Sequence, residues 1–258
     1  MEEVMQVDGN AAASLASVEP PSMTLLSYGG KLSREQVAGV PTPAGTSTHK
    51  PIPHIDVIEK LVETLSFRQI GVVHEEYAVS RDGMRMFGVL DLTTGHEEYR
   101  FALGLRNSHD KSFRLSITCG LRVFVCENLA FHGDFTPVLA KHSKNFALDD
   151  SLAVGVDRMQ RNFGPLRQQV EDWQSRQIST ASAKLIIYEA FIEGGLEAPK
   201  QLARSVHDLY FTPRYEEFQP RTLWSLSNAF TSAFKELDPI PQYKATAKLA
   251  GFLEAVRA

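Results

Sequence analysis

Between Glu98 and Asn128 apolar and polar residues alternate with a period of two over two long runs. In the first, Tyr99, Phe101, Leu103 and Leu105 alternate with Glu98, Arg100, Ala102, Gly104 and Arg106. In the second, Phe113, Leu115, Ile117, Cys119, Leu121, Val123 and Val125 alternate with Arg114, Ser116, Thr118, Gly120 and Arg122. Side chains in a strand point to opposite faces in turn, so this pattern predicts two strands with one core face and one polar face each. With no bulge near Gly120 to shift the register, Arg100, Arg106, Arg114 and Arg122 share the polar face.

The same reading along the chain gives strands at Ile70 to Ser80 and Arg85 to Leu92 as well. They are separated by the turn signals RDG (81–83), TTG (93–95) and NSHD (107–110). Before them, HIDVIEKLVETLSF (54–67) spaces Ile55, Ile58, Leu61, Val62 and Leu65 three and four apart, the signature of an amphipathic helix. After Asn128 the period becomes helical. Helices are predicted at Asp150 to Arg176 with a break or kink at Gly164-Pro165, then at Ser179 to Glu193, Pro199 to Tyr210, Thr222 to Leu237 and Pro241 to Val256. The fold class that follows is α+β: one helix, an antiparallel meander sheet, and a helical C-terminal half. That half is expected to pack on the apolar face and leave the arginine face free or shared with another subunit.

Composition divides the chain into three. Residues 1–50 are rich in Ala, Ser, Pro, Gly and Thr and predict a disordered arm, within which MTLLSY (23–28) is an apolar patch suited to docking. Residues 51–146 hold the helix and the sheet, and residues 147–258 the helical region. With 258 residues and 43% hydrophobic content the chain buries a substantial core. Its formal net charge of -4 excludes a histone-like binder but leaves room for a local basic surface. Cys119 and Cys126 are predicted to face opposite ways on one strand and not to pair, which fits a reducing cytoplasm. No apolar run reaches the roughly 18 to 20 residues of a membrane span, and the N-terminus does not read as a secretory signal.

Candidate chemistry is sparse. No phosphate loop, dinucleotide fingerprint or metal-ligand spacing occurs, and His96, His109, His132 and His142 are scattered, so neither cofactor nor metal is expected. Asn107, His109 and Asp110 suit a turn held by local side-chain bonds better than a catalytic group. A thiol hydrolase built on Cys126, with His109 or His132 as base and Asp110 beside it, is a third-ranked reading. The arginine face admits two explanations. Its guanidinium groups either pair with Glu75, Glu76, Asp91 and Glu98 as a solvated surface, or they bind phosphates, with Lys111 at the hairpin tip assisting and Phe87 and Phe124 offering faces for base stacking.

From Leu103 to Phe131 the chain resembles a domain family catalogued as of unknown function and found in phage and plasmid-like proteins. The likeness rests on the Asn107-Ser108-His109-Asp110 turn, the small-residue strand after Ser112, and the close at Val125-Cys126-Glu127-Asn128. It runs from about His54 into the C-terminal helices and implies a mobile-element setting, in which DNA handling or host takeover is common. By arrangement alone the chain is also similar to single-strand annealing proteins of the Rad-fifty-two type. The leading expectation is a non-enzymatic homo-oligomer that binds single-stranded DNA in a bacterial cytoplasm and promotes annealing. Next to it stands a protein-interaction or virion-associated module without DNA binding.

Overall fold

The computed structural model describes residues 31–95, 98–123, 128–131, 138–143, 146–237 and 239–256. The fold is α+β, and its sheet is built on the predicted register. β1 (Val72–Val79), β2 (Arg85–Gly95), β3 (Tyr99–Ser108) and β4 (Leu115–Val123) pair in order as an antiparallel meander. Arg100 lies opposite Arg122 and Arg106 opposite Ser116, with no shift at Gly120. On the other face Leu90, Leu103 and Cys119 form one row, and Leu105 and Ile117 the next. All five are buried.

The turns form for local reasons. Between β1 and β2, Asp82 accepts from the Ser80 hydroxyl and from the Met84 N–H, and Gly83 adopts φ +71, a conformation that a Cβ would strain. Between β3 and β4, the Ser108 hydroxyl bonds the backbone of Phe113 and Asp110 accepts from Ser112 N–H at 2.9 Å. Lys111, at φ +64, completes that turn.

α2 (His54–Phe67) has the predicted bounds and buries Val57, Ile58, Leu61 and Leu65. It packs with α3 (Leu148–Ser175) on the apolar face, where Phe163 stacks on Phe101 at 4.3 Å. α4 (Thr180–Phe191), α5 (Leu202–Phe211), α6 (Leu223–Phe234) and α7 (Pro239–Ala255) follow. α6 is buried almost all round and serves as the hub of this half. One core cluster runs from Val37 to Leu253, so sheet and helices share an interior.

Four sequence expectations change. Residues 31–50 do not belong to a disordered arm: α1 (Arg34–Ala38) is capped by Ser33, Val37 is 1% exposed, and Leu32 bridges to Tyr77. Residues 1–30, including MTLLSY, lie outside the described residues. The second correction is that α3 does not break at Gly164-Pro165; both face solvent, where a missing N–H is tolerated and the buried stripe of Val156, Met159, Leu166 and Val170 stays continuous. Third, two short strands appear where helices were expected to begin. β5 (Asn128–Phe131) pairs with the C-terminal half of β4 and β6 (Val138–Ala140) with its N-terminal half. Finally, the helical half covers both sheet faces, because Tyr243 of α7 reaches over the edge onto the arginine face.

Candidate nucleic-acid interface

The arginine face is not an open platform. Asp91 takes Arg122 in an ion pair of 2.9 Å, with the side chains 3% and 12% exposed. The guanidinium of Arg106 lies 4.5 Å from the ring of Tyr243 and 5.5 Å from that of Phe113. The Tyr243 hydroxyl is 2.7 Å from that of Thr118. Val89 and Ala102 complete a small apolar cluster beneath the tyrosine. Arg100 stands directly across from Arg122 on this face and is half-buried. Of the carboxylates expected to balance these arginines, Asp91 pairs with Arg122, while Glu75 pairs with Arg34, Glu76 with Lys31 and His74, and Glu98 accepts from Gln174.

Arg114 and Lys111 sit elsewhere, on the β3–β4 hairpin, where both are exposed. There they line a cavity of about 580 Å³ together with Thr48, His49, Ser108, Ser112, Phe113, Lys141, His142 and Ser143. Three cations, four hydroxyls, two imidazoles and one phenyl ring make up this wall, and it contains no carboxylate. Asp110 is next door but is turned to Ser112 and, at 3.6 Å, to Arg85. Burial works to raise its carboxyl, yet the Ser112 hydrogen bonds and the Arg85 charge prevail and hold it below its ordinary value. Phe113 links the cavity to the arginine face: its ring lies 5.5 Å from Phe87, the cross-strand partner of Arg106.

Four buried histidines that the sequence alone leaves scattered form a layer here, His49 and His142 in the cavity wall and His54 and His109 outside it. His54 and His109 stack at 3.9 Å, and His49 and His142 stack at 5.8 Å. Asn107 Nδ2 donates to His54 Nδ1 at 2.8 Å and to Ile52 O at 3.0 Å. His54 therefore carries its proton on Nε2 and donates it to Gly83 O at 3.1 Å. His109 Nε2 donates to Ile52 O at 2.9 Å. Burial, followed by the charge of His109, pushes His54 down to about 4. Burial, with His49 and His109 nearby, does the same to His142, also to about 4. His109 is lowered too, mainly by burial. His54, His109 and His142, all lowered, are neutral at pH 7, and His49 spans the carbonyls of His142 and His109 with its two ring nitrogens at 2.9 and 3.0 Å. Together the four rings fasten the 49–54 segment, the hairpin and the chain at His142.

Asn107, Ser108, His109 and Asp110 are thus brought together as turn and fastening. Cys126, Phe124, His96 and His132 lie outside the described residues, as does the side chain of Asn128. Cys119 is a buried free thiol, pushed up to about 12 by burial. Among the described residues no group of three or more His, Cys, Asp or Glu side chains is placed to hold a metal ion, and no helix is long and apolar enough to cross a membrane.

Fold and site together define an α+β domain with a basic, aromatic-walled cavity at a hairpin tip. The chain belongs to the family catalogued as Domain of unknown function (DUF932), which it matches over residues 45–249. No curated protein and no solved structure matches it. The matched span includes every residue of the cavity wall.

Proposed function

We propose that the protein is a non-enzymatic, self-associating binder of single-stranded DNA that promotes strand annealing in phage- or plasmid-type replication or recombination in a bacterial cytoplasm. The observation that carries this reading is the cavity: Lys111, Arg114 and Lys141 surround a hydroxyl-rich wall with Phe113 in it and no acid. Cations and hydroxyls suit phosphates, and an aromatic face suits an unpaired base, while a duplex hides its bases from such a wall. About 580 Å³ falls in the range of ordinary small-ligand sites, large enough for one nucleotide of a strand. The resemblance to phage and plasmid-like proteins supplies the setting.

The test is fluorescence anisotropy with a labelled single strand and its duplex over a range of salt. The variant carrying Lys111→Ala, Arg114→Ala and Lys141→Ala is compared with the unaltered chain. The single strand binds more tightly than the duplex, and the variant flattens the salt dependence by about 0.7 per phosphate contact removed, roughly 2 in all. Equal affinity and an equal salt slope in the two proteins would sink the assignment. The alternative of a protein-interaction module is favoured by one observation, the exposed Leu185 and Tyr188 of α4 with Ile192 just past its end.

A further inference from the structure

α4 carries two apolar stripes, although a helix on a domain surface needs only one. Ala183, Ile186, Ile187, Ala190 and Phe191 face the core. On the other side Ala181, Leu185, Tyr188 and, at the helix end, Ile192 are exposed, the three large ones at 51%, 47% and 43%. Their intervals are four, three and four residues. Alternating steps of three and four residues are those by which two helices pair along a seam. Nothing among the described residues covers it.

Two charges flank the stripe on opposite sides, Lys184 just before one seam position and Glu189 just after the next. Glu189 has no ion-pair partner among the described residues, and Lys184 lies exposed, its ammonium 6.0 Å from the Phe211 ring. In a parallel pair of identical helices, a residue in the position of Lys184 meets the residue five further on in the partner, which is Glu189. An antiparallel pair would set like charges side by side instead, lysine near lysine and glutamate near glutamate.

We infer that α4 is a self-association surface that takes the α4 of a second copy in parallel, with Leu185 and Tyr188 at the centre of the seam and Lys184 to Glu189 pairs on both flanks. This deepens the self-association contained in the reading above, and it holds or fails without DNA. Four seam residues a side are few beside the roughly 20–30 a side of a stable complex, so the dimer is weak and concentration-dependent.

Sedimentation velocity of the full chain without DNA, from low to high micromolar protein, tests this. The unaltered chain moves from monomer to dimer, and Leu185→Asp stays monomeric while circular dichroism shows it folded. Lys184→Glu and Glu189→Lys each weaken the dimer several-fold, and the two together restore it. A monomer at every concentration, or association that Leu185→Asp leaves intact, would overturn the inference. A double reversal no better than the single ones would overturn the parallel pairing. Leu185→Asp leaves the cavity untouched, so loss of dimerisation and loss of oligonucleotide binding are read separately.

Discussion

Asp91 and Arg122 form the pair whose removal this fold should feel most. Both are largely buried on the arginine face, and taking away one partner leaves the other charged in a poorly solvated place, which typically costs about 3–5 kcal/mol. Arg122→Ala should therefore lower the urea midpoint markedly. Arg114→Ala, on an exposed hairpin residue, should change stability by no more than about 0.5 kcal/mol. Equal midpoints for the two variants would contradict the account of Arg122. This also decides how DNA binding is tested, because a loss seen with Arg122→Ala would confuse unfolding with a missing contact. The histidine layer adds a second prediction. His54 and His142 titrate near 4 in the folded chain against an ordinary value of 6.5, so between those values the unfolded state binds more protons. Stability is complete above about pH 6.5 and declines as pH falls toward 4, by up to about 3 kcal/mol for each residue. Urea unfolding at pH 7 and pH 5 measures this, and His142→Phe should shrink the difference; a flat profile in the unaltered chain would refute it. Period-two alternation made Arg100, Arg106 and Arg122 readable as one face. It held no information on Tyr243, or on Arg34 and Lys31 as partners of Glu75 and Glu76, which come from segments far away in the chain. The cavity was half legible for the same reason: Lys111, Arg114 and Ser108 belong to a turn with its own signals, whereas Thr48, His49, Lys141 and His142 arrive only through tertiary packing.

Among the elements, α3 shows how exposure tempers a local rule. Pro165 removes one backbone donor and Gly164 adds chain entropy, yet both lie on the solvent side and the helix runs through them from Leu148 to Ser175. Nothing lies within 4 Å of a Cβ added at Gly164. Gly164→Ala should raise stability by about 0.5–1 kcal/mol, read as a higher melting temperature with the core unchanged. A fall instead would mean that the helix needs glycine's freedom there. α2 was legible to its end residues because its apolar spacing is unbroken and its burial follows that spacing. β5 and β6 were not, since four residues and three residues are too few for alternation to be counted. They exist because β4 offers its outer edge to whatever follows, and each covers half of it.

At the scale of the molecule, the family match begins at residue 45, while the fold begins earlier. The segment from Lys31 to Ala44 straps the outer edge of β1. Leu32 N–H donates to Tyr77 O at 2.8 Å, Lys31 reaches Glu76 at 3.1 Å, Arg34 pairs with Glu75, and Val37 enters the core. β1 is an end strand of the sheet, and an uncovered end strand invites pairing with other chains. A chain starting at Gly45 would keep the cavity wall, the histidine layer and α4. It would lose the burial of Val37, by itself about 1.5–3 kcal/mol, and take Lys31 away from a Glu76 side chain that is 3% exposed. We expect such a chain to be less stable than the full one by about 3 kcal/mol or more in urea, and to aggregate on warming through the bared edge of β1. Its oligonucleotide affinity at low temperature should match the full chain, because no residue of the cavity wall has been removed. If the shortened chain unfolds at the same urea concentration as the full one, the strap adds nothing to stability. If it stays folded but loses single-strand binding, the segment before Gly45 contributes contacts to DNA that the cavity alone does not supply.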